Sequence, residues 1–170
     1  MRWLVDGYNV IRRAPELAVR ERESLQAARE ALCHLLTTAA RGSGDQFTVV
    51  FDGAQGGSTM ASGAGVRVIF SSARETADQV LRRLGTPGIA VVSSDREVRQ
   101  AAGRARSIAI TADEFLARLR RRGTSASSGK GEDDDIPPAT KKGNPRRLPK
   151  KARAAARALR RLDSTLKKFP

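Results

Sequence analysis

Cysteine and histidine are nearly absent from this chain, which has one of each, Cys33 and His34. A single cysteine excludes an internal disulfide and is typical of a reducing compartment. Zinc sites need several Cys or His ligands, so a zinc site is all but excluded. Cys33 lies in an Ala/Leu-rich helical stretch, and the only histidine is its chain neighbour. These surroundings favour packing in a core over nucleophilic catalysis.

Long apolar runs are also lacking. No stretch approaches the ~20 apolar residues that a membrane span needs. The chain enters an apolar strand at Trp3 without the basic segment and long apolar segment of a signal peptide. The sequence therefore predicts a cytoplasmic protein without a membrane span.

Lysine is missing from residues 1–122, which contain 19 arginines and 13 acids. Residues 123–170 contain 13 Lys and Arg but only 5 acids, so most of the net charge of +14 belongs to this shorter segment. Such a charge favours polyanions, meaning RNA, DNA or an anionic membrane surface. The alternative is that the tail only solubilises the protein and that the arginines reflect codon usage. We favour nucleic acid.

Short β-rich runs alternate with helical patterns, which predicts an α/β fold with a parallel sheet flanked by helices. The predicted strands are residues 2–6, 46–52, 66–70, 88–93 and 107–110. Apolar residues at helical spacing predict an amphipathic helix over roughly residues 22–41. A second helix carries an apolar stripe that starts at Ala77, and shorter helices follow Ser94 and Thr111.

The chain of 170 residues has room for one ordinary domain and an extension. We assign residues 1–122 to the domain and residues 123–147, rich in Ser, Gly, Asp, Lys and Pro, to a flexible linker. Residues 148–170 predict a basic amphipathic helical tail, which suits RNA, a partner protein or a membrane surface. The tail residues that we assign to RNA binding are Lys150, Lys151, Arg153, Arg157, Arg160 and Arg161.

Residues 53–65 are rich in glycine and predict a flexible loop. The segment leads into a strand and does not open a helix, which argues against a dinucleotide-binding motif. It either closes over a substrate or is only a mobile connection, and we slightly favour the second.

Acidic residues stand where predicted strands end or where the next helix begins. Asp6 and Asp52 end the first two strands, and Asp95 follows the fourth. Glu75 and Asp78 start the helix after the third strand, one helical turn apart. Side chains at the carboxyl ends of parallel strands meet at one edge of an open sheet, where such folds place their functional crevice. The sequence therefore predicts a cluster of acids at one edge.

Crowded carboxylates repel one another and raise each other's pKa, a cost that a bound cation normally offsets. Oxygen ligands without a His or Cys cluster favour Mg²⁺ or Mn²⁺, which we assign to Asp6, Asp78 and Asp95. Such ions share their coordination with substrate phosphates and promote phosphodiester hydrolysis. We therefore interpret the chain as a nuclease.

Helix capping is the alternative explanation for some of these acids. Three segments fit a capping box, namely residues 72–75, 94–97 and 111–114. Acids in a first helical turn also interact favourably with the helix dipole. For Asp6 the alternative is an Asx turn aided by Asn9. Capping does not account for Asp6, Asp52 or Asp78, and Asp78 lies past the capping positions beside an apolar stripe.

Four motifs resemble, in their order and spacing, the YacP-like NYN domains of the PIN-like nuclease superfamily. They are Leu-Val-Asp-Gly-Tyr-Asn-Val-Ile at 4–11, Val-Phe-Asp at 50–52, Glu-Thr-Ala-Asp at 75–78 and Val-Ser-Ser-Asp at 92–95. The resemblance covers about residues 1–122 and leaves the tail outside. It implies an open five-stranded parallel sheet in the order 3-2-1-4-5, with Asp6 and Asp95 on adjacent strands.

The resemblance also implies a metal-dependent endoribonuclease that cleaves single-stranded RNA, on ribosome-associated messages. The site residues that it implies are Asp6, Asn9, Asp78 and Asp95, with Asn9 orienting Asp6 or contacting substrate. The residues that we expect to support them are Asp52, Glu75, Thr76 and Ser94.

A non-catalytic module that binds RNA or the ribosome is the main alternative function. In that case the acids cap helices and the tail does the binding. A DNA-directed nuclease of the flap-endonuclease type ranks lower, because no helical arch or helix-hairpin-helix is visible in the sequence. A membrane-associated scaffold ranks last.

Overall fold

The computed structural model describes residues 1–53, 59–61, 63–125 and 149–162. Within these ranges the strands are β1 (Arg2–Asp6), β2 (Gln46–Phe51), β3 (Thr59–Ala61), β4 (Val66–Phe70), β5 (Ile89–Val92) and β6 (Ile108–Ile110). The helices are α1 (Gly7–Arg13), α2 (Pro15–Glu23), α3 (Leu25–Ser43), α4 (Ala77–Leu84), α5 (Arg96–Arg104), α6 (Ala112–Ser125) and α7 (Lys150–Arg161).

The strands form one sheet in the order β3-β4-β2-β1-β5-β6. Five of them are parallel, and counted among themselves along the chain they have the order 3-2-1-4-5, which confirms the predicted topology. The strand β3 was not predicted from the sequence, and it pairs antiparallel with β4 at the edge of the sheet. The predicted loop over residues 53–65 was therefore wrong for Thr59–Ala61, whose backbone pairs with an otherwise open sheet edge. Residues 54–58 and 62 lie outside the described ranges.

Alternate strand residues point to opposite sides of the sheet, and apolar side chains occur on both sides. Helices therefore cover both faces. The larger core contains Trp3 and Phe47 from the strands and Phe115 from α6, with their rings in contact. Cys33 is buried in the same core. On the other face, residues such as Leu4 pack against α4 and α5. This arrangement leaves the carboxyl edge of the sheet open.

The crossover from β1 to β2 contains three helices, where the sequence predicted one over residues 22–41. Helix α2 starts with Pro15 in its first turn. Ser24 then interrupts the helical pattern with an extended backbone, and its hydroxyl caps α3 by accepting a hydrogen bond from the Ala27 amide at 2.9 Å. Helix α3 ends at Gly44, whose φ of 65° is left-handed and favours glycine.

The C-terminal helix α7 packs onto the domain. Ala155, Ala158 and Leu162 are buried in the same core as Phe115. The guanidinium Nε of Arg118 donates a hydrogen bond to the Leu159 carbonyl at 3.2 Å. The apolar side of this basic helix therefore packs against β6, and α6 contacts the helix through Arg118.

The structure describes only part of the predicted linker and tail. Helix α6 continues to Ser125, past the predicted domain end at residue 122. Helix α7 begins at Lys150. Residues 126–148 and 163–170 lie outside the described ranges. Among the described helices, none is long and apolar enough to cross a membrane.

Candidate active site

A cleft of about 820 Å³ opens where β1, β2 and β5 end. It brings together most of the residues predicted from the sequence. The predicted residues that line it are Asp6, Asn9, Asp52, Thr76, Asp78 and Asp95. Ser94 lies directly behind it, and Glu75 lies elsewhere.

Asp6 is fixed from two sides at the end of β1. Its Oδ1 atom accepts a hydrogen bond from the Asn9 amide at 3.2 Å, which makes Asp6 the N-cap of α1. The expectation that capping does not account for Asp6 was therefore wrong. Its Oδ2 atom accepts from the Ser93 hydroxyl at 2.8 Å. The Asn9 side-chain oxygen accepts from the Ser94 amide at 2.8 Å. The start of α1 is thus tied to the end of the neighbouring strand β5.

Gly7 allows this close approach of α1 to the sheet. A Cβ atom at this position would lie 2.3 Å from the ring of Phe51 at the end of β2. Any side chain would therefore push α1 and Asp6 away from the strand. The glycine of the Asp-Gly-Tyr-Asn motif is explained by packing and needs no unusual backbone angle.

Asp95 is the N-cap of α5, since its Oδ1 accepts from the amides of Glu97 at 2.6 Å and Val98 at 3.0 Å. The capping box predicted over residues 94–97 was wrong by one residue, because Asp95 itself is the cap. The Ser94 hydroxyl instead accepts from the Ala112 amide at 3.2 Å, which ties the end of β5 to α6. Capping occupies one Asp95 oxygen, and the side chain still lines the cleft.

Asp78 lies in the first turn of α4, half-buried, and faces the cleft. The helix begins at Ala77, with Thr76 as its N-cap in a capping box with Gln79. The capping box predicted over residues 72–75 was therefore wrong.

Glu75 precedes helix α4, so its predicted place beside Asp78 was wrong too. Its carboxylate makes a bidentate pair with Arg83 at 2.8 and 2.9 Å, and it lines a different depression. A short turn in which the backbones of Ser72 and Glu75 bond to each other holds it there.

Asp52 follows β2 and is exposed at the rim of the cleft. Its Oδ1 accepts a hydrogen bond from the Ser71 hydroxyl at 2.5 Å. The same hydroxyl accepts from the Gly53 amide at 3.2 Å. Serines that follow strands therefore hold two of the acids, Ser71 for Asp52 and Ser93 for Asp6. Sequence reasoning missed both serines, although each directly follows the apolar run of its strand.

Each carboxylate in the cleft makes ionisation of its neighbours less favourable. The pKa of Asp6 is raised, first by burial and further by the charges of Asp78 and Asp95, while hydrogen bonds from Ser93 and Asn9 work against the increase. The pKa of Asp78 is raised by burial and by Asp95, with a smaller opposing effect of Arg82. Outside the cleft, Arg83 lowers the pKa of Glu75. In the described part of the chain, hydrogen bonds and Arg82 therefore do not offset the effects of burial and like charge on the pKa of Asp6 and Asp78.

The donor set in the cleft is carboxylate oxygen, which suits Mg²⁺ or Mn²⁺. Within the described ranges, no group of three or more His, Cys, Asp or Glu side chains is arranged as a complete metal site. Mg²⁺ is usually bound by one or two carboxylates together with water and substrate phosphates, so a complete protein cage is not required. The raised pKa of Asp6 and Asp78 fits a site in which a cation would favour the charged forms.

Sequence reasoning missed the cationic side of the cleft. Tyr8, Arg12, Arg13 and Arg29 also line it. The first three belong to α1, a helix that the periodicity did not reveal because it is only two turns long. Arg29 comes from the second turn of α3, where a single arginine in a helical pattern carries no signal of its own.

The basic residues predicted for the tail are placed on the outside of α7. Lys150, Lys151, Arg153, Arg157, Arg160 and Arg161 are all exposed, while Ala155, Ala158 and Leu162 on the other side are buried in the core. The helix therefore presents a charged surface to solvent.

Comparison with known proteins gives a consistent result. The YacP-like NYN domain family matches residues 3–161, which extends past residue 122, where we expected the resemblance to end, and includes α7. A crystal structure of Rae1 (YacP) from Bacillus subtilis, in a tryptophan-to-leucine variant, is 28% identical with a TM-score of 0.60, covering 78% of this chain and 86% of Rae1. A second Rae1 structure is 27% identical with a TM-score of 0.58, covering 75% and 78%.

No curated protein matches the chain. The family and the structural neighbours are consistent with a nuclease fold that acts on RNA. The strand order, the motifs in the cleft and the match over nearly the whole length agree, and the chain belongs to the YacP-like NYN domain family.

Proposed function

We propose that this protein is a metal-dependent endoribonuclease that hydrolyses phosphodiester bonds in single-stranded RNA. One observation carries the proposal: Asp6, Asp78 and Asp95 line one cleft, and the pKa values of Asp6 and Asp78 are raised there. Helix capping occupies one oxygen of Asp6 and one of Asp95 but does not explain why three carboxylates line the same cleft. A substrate that brings phosphate groups and a divalent cation would compensate them.

The proposed roles follow from the contacts. Mg²⁺ or Mn²⁺, held by Asp6, Asp78 and Asp95, would act as a Lewis acid and activate water. Asp6 is oriented by Ser93 and by the Asn9 backbone. Because the Asn9 side-chain oxygen is occupied by the Ser94 amide, its NH₂ group is the donor that we assign to a substrate oxygen.

Two other predicted residues, Asp52 and Thr76, support this site. Asp52, braced by Ser71, adds negative charge at the rim, and Thr76 starts the helix that carries Asp78. The exposed basic face of α7, with Lys150 and Arg157 among its residues, is proposed to bind the RNA backbone by releasing counterions. We propose ribosome-associated messages as the physiological RNA and the cytoplasm as the location.

Cleavage of labelled single-stranded RNA by the purified full chain tests the proposal. We expect cleavage with Mn²⁺ or Mg²⁺ and none with EDTA. The Asp6→Asn Asp78→Asn double variant should cleave at least about 100-fold more slowly, because positioned charged groups contribute that much to a transition state. Mn²⁺ should also raise the melting temperature of the wild type more than that of the double variant.

Glu75→Gln is the matched control, since it neutralises an acid three residues from Asp78 that lies outside the cleft. Equal cleavage by the wild type and the double variant would contradict the proposal. RNA binding that persists without any cleavage would instead favour the non-catalytic RNA-binding module.

A further inference from the structure

Three arginines line the cleft together with the acids, and only one of them lacks an acidic partner. Arg12 pairs with Glu21 at 3.4 Å, and Arg13 pairs with Asp113 at 3.6 Å. Arg29 is half-buried and makes no ion pair within the part of the chain that the structure describes. A partly buried cation without a counterion is costly, so Arg29 needs an explanation.

The position of Arg29 is fixed by neutral groups. Its Nε donates to the Tyr8 hydroxyl at 2.9 Å, and Nη2 donates to the same oxygen. Its guanidinium lies 5.2 Å from the ring centre of Phe70, 5.5 Å from that of Tyr8 and 5.6 Å from that of Phe51. These cation–π contacts attract and orient the guanidinium, but the rings carry no net negative charge that would form an ion pair with it.

These contacts leave Nη1 without a hydrogen bond to any described residue. A guanidinium presents a planar fork of donors that matches phosphate, and a fork fixed in advance loses little entropy on binding. Packing alone would explain the rings around Arg29. Packing does not explain why an arginine, with an uncompensated charge, lines the same cleft as four carboxylates.

We propose that Arg29, positioned by Tyr8, binds a backbone phosphate of single-stranded RNA in this cleft, beside the phosphate that is cleaved. The inference rests on the proposed function in that it takes RNA as the substrate. It adds a phosphate subsite on α3 that is separate from the carboxylates. Arg29 is a binding residue in this scheme, and Tyr8 is a positioning residue.

RNA binding without cleavage is the direct test. The affinity of a fluorescent single-stranded RNA oligonucleotide would be measured by anisotropy in EDTA over a range of salt concentrations. Arg29→Gln should weaken binding about 10-fold or more, as expected for a lost charged hydrogen bond. The slope of log affinity against log salt should also become shallower by about 0.7, the value for one phosphate contact on a single strand.

Tyr8→Phe keeps the ring and removes the hydroxyl that orients Arg29. It should weaken binding by a smaller factor and leave the salt slope unchanged, because the charge remains. Arg41→Gln is the matched control, since Arg41 is exposed on the same helix, about 18 Å farther along its axis, and does not line the cleft.

Equal affinity and equal salt slope for Arg29→Gln and Arg41→Gln would overturn the phosphate subsite. Cleavage by the wild type in Mn²⁺ would then leave the proposed function standing. If the wild type neither binds nor cleaves RNA, both proposals fail. Thermal melting checks that each variant is folded. Should Arg29→Gln not fold, Tyr8→Phe decides, and its binding RNA as the wild type does would count against the inference.

Discussion

Aspartates at the two ends of the parallel sheet differ in the charge of their partners. At the amino end, Asp45 is only 4% exposed and accepts hydrogen bonds from the Trp3 indole at 3.1 Å and from the Met1 amino group. At the carboxyl end, the hydrogen bonds that Asp6 accepts from described residues come from neutral donors, and the charges that raise its pKa are those of Asp78 and Asp95. The first carboxylate has a cationic partner, the Met1 amino group, whereas the second has none among the described residues. We therefore expect Asp45 to contribute mainly to stability and Asp6, Asp78 and Asp95 to contribute to the proposed activity.

Removing the compensated acid should give the largest loss of stability. Asp45→Ala leaves the Trp3 indole N–H buried without a partner, which costs about 1–3 kcal/mol. The melting temperature should fall by several degrees, measured by calorimetry or fluorescence. Cleavage of RNA well below the melting temperature should stay at the wild-type rate, because Asp45 lies at the far end of the strands from the cleft. A loss of cleavage with unchanged stability would contradict the expectation that Asp45 contributes to stability and not to activity.

Replacing Asp78, an acid of the cleft, should raise the stability of the protein, whereas Asp45→Ala lowers it. The pKa of Asp78 is raised, so the folded protein holds this proton more tightly than the unfolded chain does. The stability that the protonated group contributes is fully present below about pH 4, the ordinary pKa of aspartate, and is lost as the pH rises through the raised pKa. At neutral pH, Asp78→Asn should therefore melt a few degrees above the wild type.

The difference in melting temperature between Asp78→Asn and the wild type should shrink as the pH is lowered towards 4, because both side chains are then neutral. The measurement is a pair of melting curves at each pH, without divalent ions. A variant that melts below the wild type at neutral pH would show that Asp78 is compensated after all. Asp113→Asn is a suitable control, since Asp113 is exposed in the first turn of α6 and pairs with Arg13.

Much of the acidic cluster could be predicted because parallel strands constrain where their ends meet. The apolar runs that end at Asp6 and precede Asp95 marked two strands. The register pairs Val5, directly before Asp6, with Val92, three residues before Asp95. Asp78 was placed correctly because it flanks an apolar stripe on the helix after β4. A pattern of period two or 3.6 was enough to locate these acids.

The cationic side of the cleft could not be predicted, because it depends on tertiary packing. Helix α1 is short, and its start is set by the Asp6 cap and by the fit of Gly7 against Phe51. Arg29 reaches the cleft only because α3 lies across the end of β2. Neither contact leaves a periodic signal in the sequence, since each joins residues that are distant along the chain.

The smallest effect is expected for Glu75, which sequence spacing placed beside Asp78 but which the start of α4 at Ala77 directs away. Arg83 lowers the pKa of Glu75, so the stability from this pair is present at neutral pH and is lost as the pH falls through the lowered value. Because the pair is exposed, solvent screens it, and Glu75→Gln should melt within error of the wild type at pH 7. Its rate of RNA cleavage should also be unchanged. A strong loss of cleavage would show that Glu75 is needed for the activity. It would also contradict the expectation that an acid paired with an arginine, as Glu75 is with Arg83, takes no part in cleavage.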